Sequence, residues 1–206
     1  MDEIVKQALA KWPNVPHCFG WLALDRRGVW RMRDEAAQRD GRLGEPIRHA
    51  ALNGFINRNY GCDDSGQWYF QNGPQRVYVE LDYTPFVLRL DWSDQSPALT
   101  DQTGAPFEPA ACLLDDEGNL LFESESAATA GAPARIGVLH DHDLGLLAEY
   151  DALPDELPAP PHEARLHWGT GRMLPLRTIT RASVPARYGY EPHPAAKPRK
   201  DTDTTQ

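Results

Sequence analysis

One short phrase occurs three times along this chain: an aspartate, two polar residues, a glycine, then a large apolar side chain. It reads Asp25-Arg26-Arg27-Gly28-Val29-Trp30, Asp63-Asp64-Ser65-Gly66-Gln67-Trp68 and Asp115-Asp116-Glu117-Gly118-Asn119-Leu120. Aspartate caps a type I turn with its own carboxylate, and glycine takes the left-handed position that closes a hairpin with a bulge. Each copy therefore predicts two neighbouring antiparallel strands and rules out a continuous helix. The acids in these turns are expected to be tied to backbone amides and unavailable for reaction.

Around the turns the apolar pattern switches between helical and strand periods. Ile4, Val5, Ala8, Leu9 and Trp12 recur at helical spacing and Pro13 ends that helix. The first hairpin is expected over Trp21–Leu24 and Val29–Met32, followed by a polar surface loop from Arg33 to Gly44. Glu45-Pro46 predicts the start of a second helix carrying Ile47, Ala51, Phe55 and Ile56, with Gly61 as its C-terminal cap. Strict alternation at Val77, Val79, Leu81 and again at Phe86, Leu88, Leu90, Trp92 predicts an antiparallel meander with one buried face. The third hairpin covers Ala111–Leu114 and Leu120–Glu123, and Ser124 to Pro133 reads as a mobile loop. A strand at Arg135–Leu139 and a short helix capped by Asp143 come next. A proline-rich linker, Pro154–Pro161, leads to a closing hairpin at Arg165–Trp168 and Met173–Leu176. The fold class is α+β: antiparallel β-hairpins and meanders packed with a few short helices in two related halves. The boundaries are an N-terminal half over 1–92, a connector over 93–110, a C-terminal half over 111–182 and an extended to disordered tail over 183–206.

The chain's 206 residues suffice for a core without disulfide or metal staples. A net charge of -9 opposes binding to nucleic acid or an anionic membrane, since both require neutralising phosphates with Lys and Arg. The basic run Lys197-Pro198-Arg199-Lys200 reads as a solubilising end. Cys18, Cys62 and Cys112 are odd in number and widely spaced, which argues against a disulfide framework or a structural zinc. The first residues carry no basic-then-apolar leader, and no apolar run reaches spanning length, so the expected location is cytoplasmic.

Gly44-Glu45-Pro46-Ile47-Arg48-His49-Ala50-Ala51-Leu52, Asp64-Ser65-Gly66-Gln67-Trp68-Tyr69-Phe70, Thr84-Pro85-Phe86-Val87 and Trp168-Gly169-Thr170-Gly171-Arg172-Met173-Leu174-Pro175-Leu176 together resemble a family of bacterial proteins known only as domains of unknown function. The resemblance spans roughly residues 20–177 and its motifs are structural. It implies repeated α+β units in two similar halves and a suggested role in signalling, and it carries over no catalytic residue. The Arg33–Gly44 loop and the C-terminal extension depart from that pattern.

No motif names a chemistry. His140-Asp141-His142-Asp143 offers metal-type ligands, which His49, His162 or His167 would have to complete. In a strand, however, residues 140 and 142 face away from 141 and 143, so a strand-to-helix connection accounts for the run. Nothing resembles a nucleophile elbow, and Gly169-Thr170-Gly171 lacks the helix and lysine of a phosphate loop. The paired acids Asp63-Asp64 and Asp115-Asp116 belong to turns. Aromatics are more suggestive: Trp68 and Tyr78, with Arg48 and Arg76 near them in sequence, make a candidate Arg/aromatic binding surface. The sequence therefore favours a non-catalytic binding or regulatory module, without a cofactor, that recognises a protein or a small anionic ligand. The competing readings are a metal-dependent enzyme centred on His140 and His142, and a structural subunit of a larger assembly.

Overall fold

The computed structural model describes residues 1–93, 96–125, 135–153 and 164–196. Most of the Ser124–Pro133 loop, the Pro154–Pro161 linker, His162 and the basic run 197–200 lie outside the described residues. The chain is a mixed α+β protein built on two sheets. The first has six strands: β1 (Cys18–Leu24), β2 (Trp30–Met32), β3 (Glu45–Pro46), β4 (Tyr60–Cys62), β5 (Trp68–Asn72) and β6 (Gln75–Leu81), in the order β3-β2-β1-β6-β5-β4. The second has eight: β7 (Phe86–Ser93), β8 (Ser96–Asp101), β9 (Pro106–Phe107), β10 (Pro109–Asp115), β11 (Leu120–Ser124), β12 (Ile136–Leu139), β13 (Arg165–His167) and β14 (Met173–Ile179), ordered β13-β14-β10-β11-β12-β7-β8-β9. Helices α1 (Glu3–Lys11), α2 (Glu35–Arg39), α3 (Ala50–Arg58), α4 (Leu144–Glu149) and α5 (Val184–Tyr188) are short.

The second sheet is buried on both faces. One face puts Val87, Leu113, Leu121 and Val138 against Leu22, Leu24, Val79 and Leu81 of the first sheet, with Ile56 of α3 and Val184 of α5 closing the layer. The other face carries Leu88, Leu90, Phe122, Leu174 and Leu176 beneath Leu147 of α4. Because both faces are covered, Ala111–Leu113 and Leu120–Phe122 are apolar throughout and do not alternate. Each fully buried leucine among them contributes about 1.5–3 kcal/mol.

Aspartate turns hold the strands in register. Asp25, Asp63 and Asp115 each accept from the amides two and four residues on, at 2.8–3.1 Å, and the closing glycines sit at φ +78, +78 and +82. The structure reveals a fourth copy, Asp101-Gln102-Thr103-Gly104, with the same bonds to Thr103 and Ala105 and a glycine at φ +84. In every copy the second carboxylate oxygen reaches another element: Arg31 for Asp25, Tyr78 for Asp63, Arg135 for Asp101, and Tyr83 for Asp115. One side chain thus shapes the loop and fastens it to the sheet.

The two sheets share a local topology. In the first, hairpin β1–β2 is joined to hairpin β5–β6 through the parallel pair β1/β6. In the second, β10–β11 is joined to β13–β14 through the parallel pair β10/β14. The strand orders β2-β1-β6-β5 and β11-β10-β14-β13 are equivalent.

Several expected boundaries need correcting. β6 and β7 do not form a meander, because Asp82–Pro85 carries the chain into the other sheet, where β7 pairs with β12 and β8. Residues 1–92 therefore do not form a separate half. The supposed connector 93–110 contributes β8, β9 and the fourth turn; its polar residues are turn-formers between strands, and Leu99 and Phe107 are core. Arg33–Gly44 contains α2, capped by Asp34. Glu45-Pro46 is extended, pairing with β2. Helix α3 starts later, where the His49 ring accepts from the Leu52 amide, and ends at Asn59, ahead of Gly61 in β4. The supposed tail from 183 begins with α5, and Tyr188 and Tyr190 are buried in the inter-sheet core. Asp143 precedes α4 but makes no cap bond.

Candidate functional site

At the C-terminal end of β6, Glu80–Tyr83 borders a cleft of about 660 Å³. Its remaining walls come from distant parts of the chain: Arg33 and Gly41–Leu43 around α2, Asp116 and Glu117 from the third turn, Arg181–Pro185, and the Pro192-His193 stretch. The last is held by backbone. Gly66 accepts from the Glu191 amide and Pro192 accepts from the Leu81 amide, both at 2.9 Å, so this stretch wedges in where β5 and β6 splay apart. Gly66 is needed there, because a Cβ would overlap the Gly189 carbonyl.

Arg33 is the unusual lining residue. It is only 8 % exposed. Its Nε donates to the Arg42 carbonyl at 2.9 Å and one terminal nitrogen lies 3.4 Å from Glu80. The other terminal nitrogen has no protein partner among the described residues, although a guanidinium offers five donors. A buried, fixed cation with a free donor at a cleft wall is prearranged to meet an oxyanion. Arg42, also in the lining, pairs with Asp40 at 3.1 Å, which leaves Arg181 as the other notable cation. Arg181 lies 4.3 Å over the Tyr83 ring, donates to the Asp82 carbonyl at 2.9 Å, and pairs with Glu117 at 2.8 Å. The Tyr83 hydroxyl donates to Asp115 at 2.7 Å; burial and that carboxylate push its pKa well above the ordinary value. His193 Nδ1 lies 2.9 Å from the second oxygen of Glu80, linking the Pro192-His193 stretch to the carboxylate that holds Arg33. Among the described residues no Ser, Thr, Cys or Lys lines this cleft, and its one hydroxyl, on Tyr83, is bonded to Asp115.

The four residues singled out from sequence do not converge. Arg76 and Tyr78 share the outer face of the first sheet, where Arg76 stacks 4.3 Å over Tyr69 and Tyr78 stacks 4.4 Å on Phe19. Tyr78 lines a smaller cleft of about 440 Å³ with His17, Phe19 and Gln67. Trp68 neighbours Tyr69 on β5 and so points the opposite way; it packs between the sheets against Tyr60 at 4.8 Å and Phe86 at 5.0 Å. Arg48 is exposed ahead of α3.

The His140–Asp143 run is occupied by structure. His140 Nδ1 accepts from the His142 amide and Asp141 pairs with Arg27. Asp143 takes Arg89 and the Leu90 amide, which together outweigh burial and hold its carboxyl below the usual range. Burial and the charge of Arg89 push His140 down, towards the neutral ring. His49 caps α3, and His167 lies in β13. Among the described residues no group of three or more His, Cys, Asp or Glu is placed to hold a metal ion. Desolvation together with Asp63 and Asp64 pushes the Cys62 thiol up to about 11, the opposite of an activated nucleophile.

Arg33, Glu80, Arg181 and His193 carried no local signal in the sequence. They lie in four separate segments, and only the pairing of β6 with β1 and the return of the chain beyond α5 assemble them.

A family model, DUF2944, described as "Protein of unknown function (DUF2946)", matches residues 1–195. No curated protein matches the chain. Two solved structures are similar. A DUF1285 family protein from Shewanella baltica OS155 is 12 % identical, with 63 % of this chain and 91 % of that one covered and a TM-score of 0.41. A DUF1285 family protein from Silicibacter pomeroyi DSS-3 is 17 % identical, with 87 % and 97 % covered and a TM-score of 0.43. No helix among the described residues is long and apolar enough to cross a membrane.

Proposed function

We propose, from the premise that this chain belongs to the DUF2944 family of proteins of unknown function, that it is a non-catalytic binding module whose main cleft takes a small ligand through a carboxylate or phosphate group. The observation that carries this reading is Arg33: buried, braced by Glu80 and the Arg42 carbonyl, and left with a free donor at the cleft wall. Arg181 supplies the second cation. Its partner Glu117 has a side chain 54 % exposed, and an exposed ion pair of this kind is worth about 0–1 kcal/mol. An incoming oxyanion displaces Glu117 at little cost, whereas Glu80 stays with Arg33. The other acids of the cleft, Asp82 and Asp116, give part of their bonding to the Arg26 and Arg181 amides. The three free cysteines support a reducing, cytoplasmic setting.

Calorimetric titration with orthophosphate and with succinate tests this reading. At least one should bind saturably, and Arg33→Lys and Arg181→Gln should each weaken it about tenfold, the scale of one lost charge-assisted bond. Failure of both anions to bind, or equal affinity in the variants, overturns it.

A further inference from the structure

We infer that the ligand is longer than its anionic group: a phosphate carried on a hydroxylated, sugar-sized body that extends from the Arg33/Arg181 cleft into a second trough beside it. This rests on the oxyanion reading above and adds a second subsite. The trough, of about 510 Å³, lies at the carboxyl ends of the parallel pair β10/β14, just as the first cleft lies at the carboxyl end of β6 in the pair β1/β6. Each half of the repeated topology therefore contributes one concavity at the equivalent place. The two adjoin: Asp116 lines both, and Arg181 of the first is two residues from Ser183 of the second.

The linings differ in balance. The first is dominated by charged groups, Arg33 and Arg181 among them. The second has a half-buried aliphatic floor of Leu114 and Ile179, a rim of Thr178, Thr180 and Ser183, and a single guanidinium, that of Arg187. The Thr180 hydroxyl donates to Ser183 Oγ at 3.0 Å and the Ser183 hydroxyl bonds the Thr180 carbonyl at 2.8 Å. The Thr178 hydroxyl has no protein partner among the described residues. Asp115, also in the lining, is taken up by its turn amides, Asn119 and Tyr83, so it adds little acceptor capacity. An apolar floor edged by hydroxyls suits a ring with C–H faces and hydroxyl edges.

Calorimetry on the full chain separates the outcomes, with orthophosphate and ribose 5-phosphate as probes. Ribose 5-phosphate should bind about tenfold tighter than orthophosphate, the gain expected from two modest hydrogen bonds. The exposed, near-isosteric change Thr178→Val, combined with Ser183→Ala, should reduce that advantage to about threefold or less while orthophosphate affinity stays constant. Equal affinity of the two probes for the unmodified protein, an advantage that survives the double variant, or binding of succinate alone overturns the second subsite and leaves the Arg33/Arg181 reading standing. If ribose 5-phosphate, orthophosphate and succinate all fail to bind, both readings fall.

Discussion

Replacing Asp115 by alanine removes four hydrogen bonds made by one side chain. The carboxylate accepts from the Glu117 and Asn119 amides at 2.9 and 2.8 Å, from the Asn119 side-chain amide at 2.8 Å and from the Tyr83 hydroxyl at 2.7 Å. These bonds do not contribute equally. Glu117 is exposed and Asn119 half-buried, so their groups rehydrate when the carboxylate is lost, and the turn loses about 1 kcal/mol, the usual value of a capping side chain. The Tyr83 residue is 5 % exposed, so its hydroxyl is stranded at a desolvation cost of about 1–3 kcal/mol. The expected loss is about 3 kcal/mol, read as a lowered urea midpoint at unchanged slope. Two controls locate its origin. Asp64→Ala, at the exposed second position of an equivalent turn, should stay within about 0.5 kcal/mol of the parent. Adding Tyr83→Phe to Asp115→Ala should recover about 1 kcal/mol, because the stranded hydroxyl is gone. If Asp115→Ala behaves like Asp64→Ala, the turn acids do not fasten the sheets and the reasoning is refuted.

Further expectations concern the same turns and the cleft. Asp63 and Asp115 resist the upward push of partial burial: Ser65, Gln67 and Tyr78 bond the first, Asn119, Tyr83 and Glu117 the second, and both sit below their ordinary value of 3.8. A depressed carboxyl stabilises the fold above the unfolded pKa, so stability should be complete well above pH 4. It should fall as pH drops through 4 towards the native values, with a shallower fall in Asp63→Asn/Asp115→Asn; a pH-independent urea midpoint between pH 3 and 5 would contradict this. Gly66→Ala should push the 189–193 stretch away and raise hydrogen exchange of the Glu191 and Leu81 amides about tenfold, while unchanged protection would mean that this stretch is not held there. Glu117→Gln should free Arg181 and tighten orthophosphate about threefold, as loss of a competing exposed ion pair allows; weaker binding would show that Glu117 does not compete. Arg48→Ala should leave anion affinity unchanged, and a tenfold loss would move the site to the start of α3.

Local chemistry was the readable part of this sequence. Asp and Gly at fixed offsets name a turn whatever surrounds them, and all three recognised copies form it. The fourth departs from the phrase: Asp101-Gln102-Thr103-Gly104 is followed by Ala105-Pro106, and the large residue, Phe107, arrives one position late. Period-2 alternation identified β6 and β7 as strands but could not say that they belong to different sheets, since alternation reports which face is buried and is silent on the partner strand. The second helix begins later than Glu45-Pro46 suggests because Pro46, acceptable in a helix's first turn, is equally suited to an edge strand. For the site, nearness in sequence groups Arg76, Tyr78 and Trp68; Arg76 and Tyr78 share one face with Tyr69, whereas Trp68, next to Tyr69 on the strand, faces the other way. Arg33 and Arg181 lie 148 positions apart and meet only through tertiary structure.

The central claim is that Arg33 and Arg181 together receive an oxyanion. The most direct measurement is a titration of the nitrogen-15-labelled chain with orthophosphate, following the arginine Nε–H resonances. The Arg33 and Arg181 signals should move together along one saturable curve while that of Arg48 stays fixed. Movement of Arg48 or Arg76 in their place, or no movement of any arginine signal, would contradict it.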